Sequence, residues 1–333
     1  MLEPISPEEA VEQYLEHRQT DLSELSLQNH GYRLNRFLEW CEKAGVEDMN
    51  RVTGRTIHEY KVVRSKEVNP VTLKTQLTTL RVFLRFCENI DAVAEGVSEK
   101  VPIPDLDYGE DARRVMVIKE EAEAILDHFD TFDYASFGHV TFYLLWYTGM
   151  RVGTARGIDV DDYHPEEEYI NIAHRPETGT PLKNKERGER EVHVKRKVCN
   201  VIDDYLQFNH AGVKDEFGRM PLFSTRSGRA STTALRKNVY AATRPCVYTN
   251  ECPHQRNIND CEATDYAVAS KCPSSVSPHA LRRGSITAHL NAGIDKWVVS
   301  GRMDVSTEVL EKHYDNRTRK ERRKGRKNHL SNI

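Results

Sequence analysis

Long apolar runs are missing from this 333-residue sequence. No stretch approaches the ~20 consecutive apolar residues that a membrane-spanning helix needs, and 30% of the residues are charged against 38% hydrophobic. The first residues, MLEPISPEEA, lack the cationic start, the apolar stretch and the small-residue cleavage site of a secretion signal. We therefore expect a soluble cytoplasmic protein that makes no contact with a membrane.

Cysteine and net charge are also low. Seven cysteines are an odd number, awkward for a disulfide framework that a chain of this length does not need. The net charge of -3 does not exclude a nucleic-acid partner, because such binding depends on where the cations lie. Residues 312–327 hold nine Lys or Arg against two carboxylates. This basic C-terminal tail is typical either of a segment that follows a phosphate backbone or of a solvated helix.

The first part of the chain has the signals of a small helical domain. Ser6 followed by Pro7 and Glu9 predicts a capped helix start, and Asn69 followed by Pro70 predicts another. The helical period is lost between about residues 93 and 111, where prolines, glycines and acids predict an exposed linker. We therefore place a helical domain at residues 1–105 and a second domain at residues 106–333. Helices are predicted from about residue 7, from 26 to 45, from 55 to 66 and from 70.

The second domain mixes helices with a short strand pair. The pattern predicts a mainly α fold with a small β-sheet (α+β), without internal repeats. Strands are predicted at 169–173 and 191–194, and helices at 119–129, 135–148, 195–209, 231–243, 280–292 and 306–314.

Three separated segments contain side chains suited to chemistry on a phosphate. The segment LLWYTGMRVGTARGI places Arg151 just after an apolar helix. The segment SPHALRRGSITAHLNAG places His279 and Arg282 three residues apart, on one face of a helix start, and EVLEKHYDNRT ends a short helix at Tyr314. Each residue alone has an ordinary structural explanation as a cap, a surface cation or a packing side chain.

The order Arg, then HxxR, then Tyr 32 residues after the second arginine resembles the tyrosine recombinases of the phage-integrase type. The resemblance covers essentially the whole chain. The segments TGMR, SPHALRR and HYD are similar to those of integrases from haloarchaea and their viruses. It implies an N-terminal core-binding (SAM-like) domain and a catalytic domain that together form a C-shaped clamp around double-stranded DNA. It also implies a homotetramer on two paired sites, with the basic tail passed to a neighbouring subunit.

The resemblance implies DNA strand cleavage and rejoining through a 3′-phosphotyrosine, with neither a catalytic metal nor a cofactor. Arg151 and Arg282 are the expected clamp on the phosphate oxygens, because guanidinium groups hold such oxygens by paired hydrogen bonds. Tyr314 is the expected nucleophile. His279 is expected to accept the phenol proton or to steady a phosphate oxygen.

A lysine on a hairpin protonates the leaving 5′ oxygen in this family. Here the hairpin TGTPLKNKERGEREVHV offers Lys183 and Lys185. We favour Lys183, because it follows the apolar Leu182 and is better anchored.

Two positions depart from the family pattern. Thr154 stands where an acidic residue often orients the first arginine, so another group must orient Arg151. Arg302 stands where a histidine or tryptophan is usual. Arginine donates to phosphate but is no acid or base near neutral pH, so phosphate binding is the role expected of Arg302.

A Cys/His-rich insertion at residues 246–272 predicts a possible structural zinc site. The preferred ligands are Cys246, Cys252, His254 and Cys261, with Cys272 as the substitute. The spacing lacks a CxxC pair, so buried free thiols and a disulfide remain alternatives. Zinc here would shape the insertion and take no part in catalysis.

Two other functions stay open at this point. A type IB topoisomerase uses a similar residue set and relaxes supercoils as a monomer. A catalytically inactive DNA-binding regulator would keep the fold without the chemistry.

Overall fold

The structure is a computed structural model that describes residues 2–106, 115–314 and 323. The chain divides into two compact units, residues 1–113 and 114–333. The boundary predicted from the sequence, after residue 105, lies a few residues before this division. Within the described ranges, no helix is both long enough and apolar enough to cross a membrane.

The first unit is built from four α-helices, and the cap signals of the sequence explain where they begin. The Ser6 hydroxyl accepts a hydrogen bond from the Glu9 backbone N–H at 3.1 Å, and the Asn69 side chain accepts from Thr72 N–H at 2.9 Å. Gly45 ends the second helix with φ +68°, a conformation that glycine adopts at low cost. The helices are α1 (Pro7–Arg18), α2 (Glu24–Ala44), α3 (Gly54–Glu67) and α4 (Pro70–Asn89), with 3-10 turns at Met49–Arg51 and Ser98–Lys100.

The second unit is also mainly helical, as the sequence predicted. Its helices are α5 (Lys119–Phe132), α6 (Phe137–Thr148), α7 (Val152–Gly157), α8 (Arg196–Phe208), α9 (Thr232–Ala242), α10 (Pro245–Tyr248), α11 (Pro278–Asn291), α12 (Lys296–Met303) and α13 (Thr307–His313). Short 3-10 turns lie at Val160–Asp162, Pro176–Thr178, Lys185–Gly188, Ile258–Asp260, Glu262–Thr264 and Tyr266–Lys271. The sequence analysis did not predict the short helices α7, α10 and α12.

Two small sheets accompany the helices of the second unit. The strands are β1 (Tyr163–His164), β2 (Tyr169–Ile172), β3 (Arg190–His193), β4 (Ser224–Thr225) and β5 (Gly228–Arg229). They form an antiparallel sheet in the order β1-β2-β3 and a separate β4-β5 pair. The buried side chains of Ile170 and Val192 face each other across β2 and β3, so the strand pair predicted from the sequence is confirmed to within one residue at its ends.

Helix α11 is central to the second unit. At Gly284 the helix runs so close to Val117 that a β-carbon would collide with the Val117 carbonyl oxygen. On its other side, α11 packs against α12 and α13 through a small apolar cluster. The cluster contains Ile286, Leu290, Val299, Met303, Val305, Leu310 and Tyr314. This packing brings the HxxR segment and the Tyr314 segment together.

Candidate active site

A tight turn presents Arg151. Helix α6 ends at Thr148, and Gly149 takes the left-handed conformation with φ +60°. A β-carbon at this glycine would lie 2.6 Å from the Met303 sulfur, so the turn needs glycine both for its backbone and for space. Arg151 follows at the N-cap of α7, where its half-buried guanidinium forms a close ion pair with the Asp304 carboxylate.

Arg282 is the buried centre of the site, with 4% of its surface exposed. One terminal nitrogen donates to the carbonyl oxygens of Gly149 and Met303, both at 2.8 Å, and the other donates to the Asp304 carbonyl at 3.3 Å. Burial, and then the neighbouring Arg151 charge, lower the pKa of Arg282 to about 10. At neutral pH Arg282 therefore stays cationic while it joins the turn after α6 to the end of α12.

Tyr314 closes the site from the end of α13. Its side chain is almost fully buried against the apolar cluster of α11, α12 and α13. Its phenol is close enough to Arg282 to raise the pKa of that guanidinium through charge and through a polar side-chain contact. The structure thus brings together the predicted nucleophile and one predicted arm of the phosphate clamp.

His279 and Lys183 complete the group. Partial loss of solvation lowers the pKa of His279, and the charges of Arg283, Arg282, Lys183 and Arg151 lower it further. Because these cations disfavour imidazolium, His279 is held in its neutral form near pH 7. We call Arg151, Lys183, His279, Arg282 and Tyr314 the catalytic cluster, after the roles that the sequence resemblance implies for them.

The loop between β2 and β3 carries both candidate lysines. Leu182 is buried, and its backbone N–H donates to the His174 ring at 2.9 Å, which fixes the chain just before Lys183. Lys183 is exposed, and its charge acts on His279. Lys185 is also exposed and opens the next 3-10 turn with φ +52°.

The structure does not bring the guanidinium of Arg302 into the catalytic cluster. That group donates to the carbonyl oxygens of His193 at 2.8 Å and of Tyr147 at 3.2 Å. It also stacks over the Tyr147 ring, with the guanidinium carbon 5.0 Å from the ring centroid. In this arrangement Arg302 ties α12 to β3 and α6.

Three residues that the sequence analysis did not single out border the cluster. Asp304 holds Arg151 and also accepts a hydrogen bond from the Asn184 side chain at 2.6 Å. Arg190 is half-buried; burial lowers its pKa, the Asp304 charge raises it and the Arg151 charge lowers it. The sequence signal for Asp304 was weak: an acid just after α12, 153 residues from the arginine that it contacts.

The predicted zinc ligands meet in one place. We call residues 246–272 the Cys-rich segment. Cys246, Cys252, His254, Cys261 and Cys272 all line one small cavity, and its four cysteines are free thiols. As the side chains stand, the described part of the chain contains no group of three or more His, Cys, Asp or Glu arranged to hold a metal ion. Of the basic tail, residues 315–327 lie outside the described residues, except for residue 323.

The family of the chain follows from two matches. The model of the phage integrase family matches residues 116–319, and the model of the phage integrase N-terminal SAM-like domain matches residues 11–89. The first match alone spans more than half of the chain. The chain therefore belongs to the phage integrase family of tyrosine recombinases.

Solved structures agree with this assignment at the level of the fold. The Tn1549 transposon integrase, in complex with a circular intermediate DNA, has a TM-score of 0.69 and 16% identity, covering 97% of this chain and 99% of that one. A lambda integrase dimer bound to a COC′ core site has a TM-score of 0.65 and 11% identity, covering 95% and 97%.

One further structure matches only the first part of the chain. The N-terminal domain of a phage integrase/site-specific recombinase from Haloarcula marismortui is 39% identical over 31% of this chain and 99% of that one, with a TM-score of 0.30. A search of curated proteins gave no significant match.

Proposed function

We propose that the protein is a site-specific DNA recombinase that cleaves and rejoins strands through a covalent bond between Tyr314 and a DNA phosphate. The observation that carries this proposal is the packing of α11, α12 and α13, which brings the buried side chains of Tyr314 and Arg282 close enough for their charges to interact. Arg151, His279 and Lys183 lie within electrostatic reach of the same point. A nucleophile, a fixed cation and a neutral base around one position suit attack on a phosphodiester.

The first step is an exchange of one phosphoester bond for another. The Tyr314 oxygen attacks phosphorus while its proton passes to the neutral ring of His279. Arg151 and Arg282 bind the non-bridging oxygens, whose negative charge increases in the transition state. The bond from phosphorus to the 5′ oxygen breaks, and Lys183 supplies the proton that makes this oxygen a hydroxyl.

The second step reverses the first with a different hydroxyl. A 5′ hydroxyl of a partner duplex attacks the 3′-phosphotyrosine, and the Tyr314 oxygen leaves and regains a proton. No nucleotide is consumed, because the phosphotyrosine keeps the bond energy. We propose double-stranded DNA as the partner and a homotetramer on two paired sites as the working assembly. We also propose kinship with haloarchaeal and viral integrases, from the segments TGMR, SPHALRR and HYD.

Arg302 is left out of the proposed clamp. Its guanidinium is held by the carbonyl groups of His193 and Tyr147 and by the face of the Tyr147 ring. The carbonyl groups that hold Arg282, by contrast, keep that guanidinium within electrostatic reach of Arg151 and Tyr314.

A suicide substrate tests the chemistry. A nicked duplex loses a short fragment after cleavage, so the covalent complex accumulates instead of being rejoined. The wild-type protein should give an adduct that resists denaturation and maps by peptide sequencing to Tyr314. Tyr314→Phe should give none while keeping its fold. A folded wild-type protein that binds the DNA without forming an adduct would favour the inactive regulator.

The same substrate separates recombination from relaxation. Two labelled duplexes should yield products that contain both labels if the protein exchanges strands. Relaxation of a supercoiled plasmid without exchange would indicate a topoisomerase of type IB.

A further inference from the structure

We propose that Cys246, Cys252, Cys261 and Cys272 bind one structural zinc ion in the Cys-rich segment. The four side chains come from separate turns, yet all line a single small cavity. Each is a half-buried free thiol. Four sulfur ligands in a tetrahedral, closed arrangement are typical of structural zinc sites.

The Cys-rich segment has little apolar burial to keep it folded. Between residues 246 and 272, the buried side chains are those of two alanines, Ala263 and Ala269. Its local structure is largely short 3-10 turns. Ordering each residue costs about 1–2 kcal/mol. Two buried alanines and the partly buried Tyr248, which packs against the main core, contribute too little to offset that cost over the whole segment. A bound metal supplies the missing free energy.

The surroundings favour four thiolates over the set with His254. The His254 ring forms a hydrogen bond through Nε2 to the Ser274 hydroxyl at 2.8 Å, so only its Nδ1 would be left for a metal. Arg244 and Arg256 line the same cavity. Four thiolates around Zn²⁺ carry two excess negative charges, and two neighbouring guanidiniums offset them. Coordination requires the half-buried thiols to turn about χ1, since the described residues contain no preassembled group of metal ligands.

Metal content provides a test independent of recombinase activity. We would purify the full chain with a thiol reductant and without chelator, and measure zinc per chain by elemental analysis. We expect about one zinc per chain, and less than ~0.2 in Cys252→Ser/Cys261→Ser. Cys87→Ser is the matched control, because Cys87 is a buried thiol in the first unit, and it should keep the metal.

Two comparisons can overturn this ligand set. His254→Ala should retain zinc and Cys272→Ser should lose it; the opposite pair of results would replace Cys272 by His254. Wild-type protein without zinc or another metal would reject the site. The site would also be rejected by disulfides. In that case alkylation without reductant would modify none of the four cysteines, and mass spectrometry would find them disulfide-linked.

A separate observation concerns the orientation of Arg151, and the inference from it rests on the proposed function. We infer that Asp304 is the positioning residue for Arg151, in the role that an acid at the place of Thr154 fills in many relatives. Thr154 is buried in α7 and has no charge. Asp304 instead approaches Arg151 from the end of α12, with its carboxylate paired to the guanidinium.

The backbone at Asp304 is specialised for this contact. Asp304 has φ +52°, a left-handed conformation that non-glycine residues adopt rarely and that Asp and Asn tolerate best. Its carbonyl oxygen accepts from Arg282 at 3.3 Å, and its carboxylate accepts from Asn184 at 2.6 Å. One residue therefore links both arginines of the proposed clamp to the loop that carries Lys183.

Asp304→Asn keeps the shape and the backbone preference while removing the charge. We expect single-turnover cleavage to fall about 10- to 100-fold, which corresponds to losing a hydrogen bond to a charged group. The affinity for DNA should change little, because Asp304 holds the arginine and does not touch the phosphate. Asp162→Asn is the matched control, since Asp162 is another buried carboxylate bound to an arginine, Arg175, outside the cluster.

Rescue separates orientation from general damage. Adding Thr154→Glu to Asp304→Asn should restore a large part of the cleavage rate, which a merely structural defect would not allow. Faster cleavage or tighter DNA binding by Asp304→Asn would show instead that Asp304 competes with the phosphate for Arg151. If wild type forms the adduct and Asp304→Asn matches it, only this inference fails; if wild type forms none, the proposed function fails first.

Discussion

The catalytic cluster and the Cys-rich segment belong to the same unit but are held together differently. In the cluster, Arg282 is satisfied by carbonyl groups of the chain, and Arg151 by a carboxylate of the chain. In the Cys-rich segment, four thiols face one cavity and no three ligands are arranged to coordinate a metal in the described ranges. Buried polar groups need partners. The first region contains its partners, whereas the second takes one from outside under the proposal of a bound zinc ion.

The contrast between the two regions would be wrong if the catalytic cluster did not need its internal hydrogen-bond partners. Arg282→Lys removes the planar guanidinium, and a single ammonium cannot satisfy three carbonyls and a phosphate together. We expect cleavage in the suicide-substrate assay to fall by about 10³-fold, the loss typical of a removed transition-state donor. Arg229→Lys is the matched control: Arg229 is also buried and bound to backbone carbonyls, outside the cluster. It should lose stability while its folded fraction still cleaves. A loss below tenfold for Arg282→Lys would contradict the assignment.

The solvent-facing edge of the cluster gives the next test. Lys183→Ala should lower the cleavage rate by about 10²-fold, as expected for a lost general acid. Lys185→Ala, the exposed neighbour, should cleave at close to the wild-type rate. A substrate with sulfur in place of the 5′ bridging oxygen needs no proton on its leaving group, because a thiolate is stable near neutral pH. It should rescue Lys183→Ala. Equal losses for both lysines, without rescue, would rule out this role.

A change in the packing of α11 next to the catalytic cluster should lower the stability of the fold. Gly284→Ala places a β-carbon against the Val117 carbonyl, so α11 or the segment just before α5 must shift. We expect a loss of about 1–3 kcal/mol in the free energy of unfolding, measured by denaturant titration. Gly301→Ala is the control: its β-carbon would meet no atom within 4 Å, and alanine favours helix. A stabilised Gly284→Ala protein would mean that the close approach of α11 to Val117 is not needed.

The smallest effect is expected in the pH dependence. Because desolvation and neighbouring cations lower the pKa of His279, its neutral form dominates down to a pH below the ordinary value of about 6.5. A base must be neutral, so single-turnover cleavage should rise with pH through a midpoint below that value and then level off. His279→Gln should remove this rise and slow the plateau. A wild-type rate that falls with pH through the same range would make His279 an acid.

The sequence predicted much of the fold because its signals are local. Ser6, Asn69 and Gly45 mark helix ends by hydrogen bonds or by backbone conformation within a few residues. The order of Arg151, His279, Arg282 and Tyr314 indicated the family, and the structure brings these residues together. Helix α12 was missed, because it is short and half of its apolar side chains are exposed.

Contacts between segments far apart in the chain could not be predicted from local sequence patterns. Phosphate binding was expected of Arg302 because of its place in the sequence before Tyr314. In the structure, its guanidinium instead stacks on the Tyr147 ring and donates to two carbonyl groups from elsewhere in the chain. The sequence showed that Thr154 cannot orient Arg151 by charge, but it could not name the group that does, and in the structure the carboxylate paired with Arg151 is that of Asp304. Such pairings depend on which surfaces meet, which only the folded chain defines.

One terminal nitrogen of Arg282 donates hydrogen bonds both to the turn after α6 and to the end of α12, so the same side chain holds these two segments together. We expect the arrangement of the candidate site and the native packing of the second unit to be lost at the same denaturant concentration. The candidate site is therefore expected to form in the same step that folds the second unit.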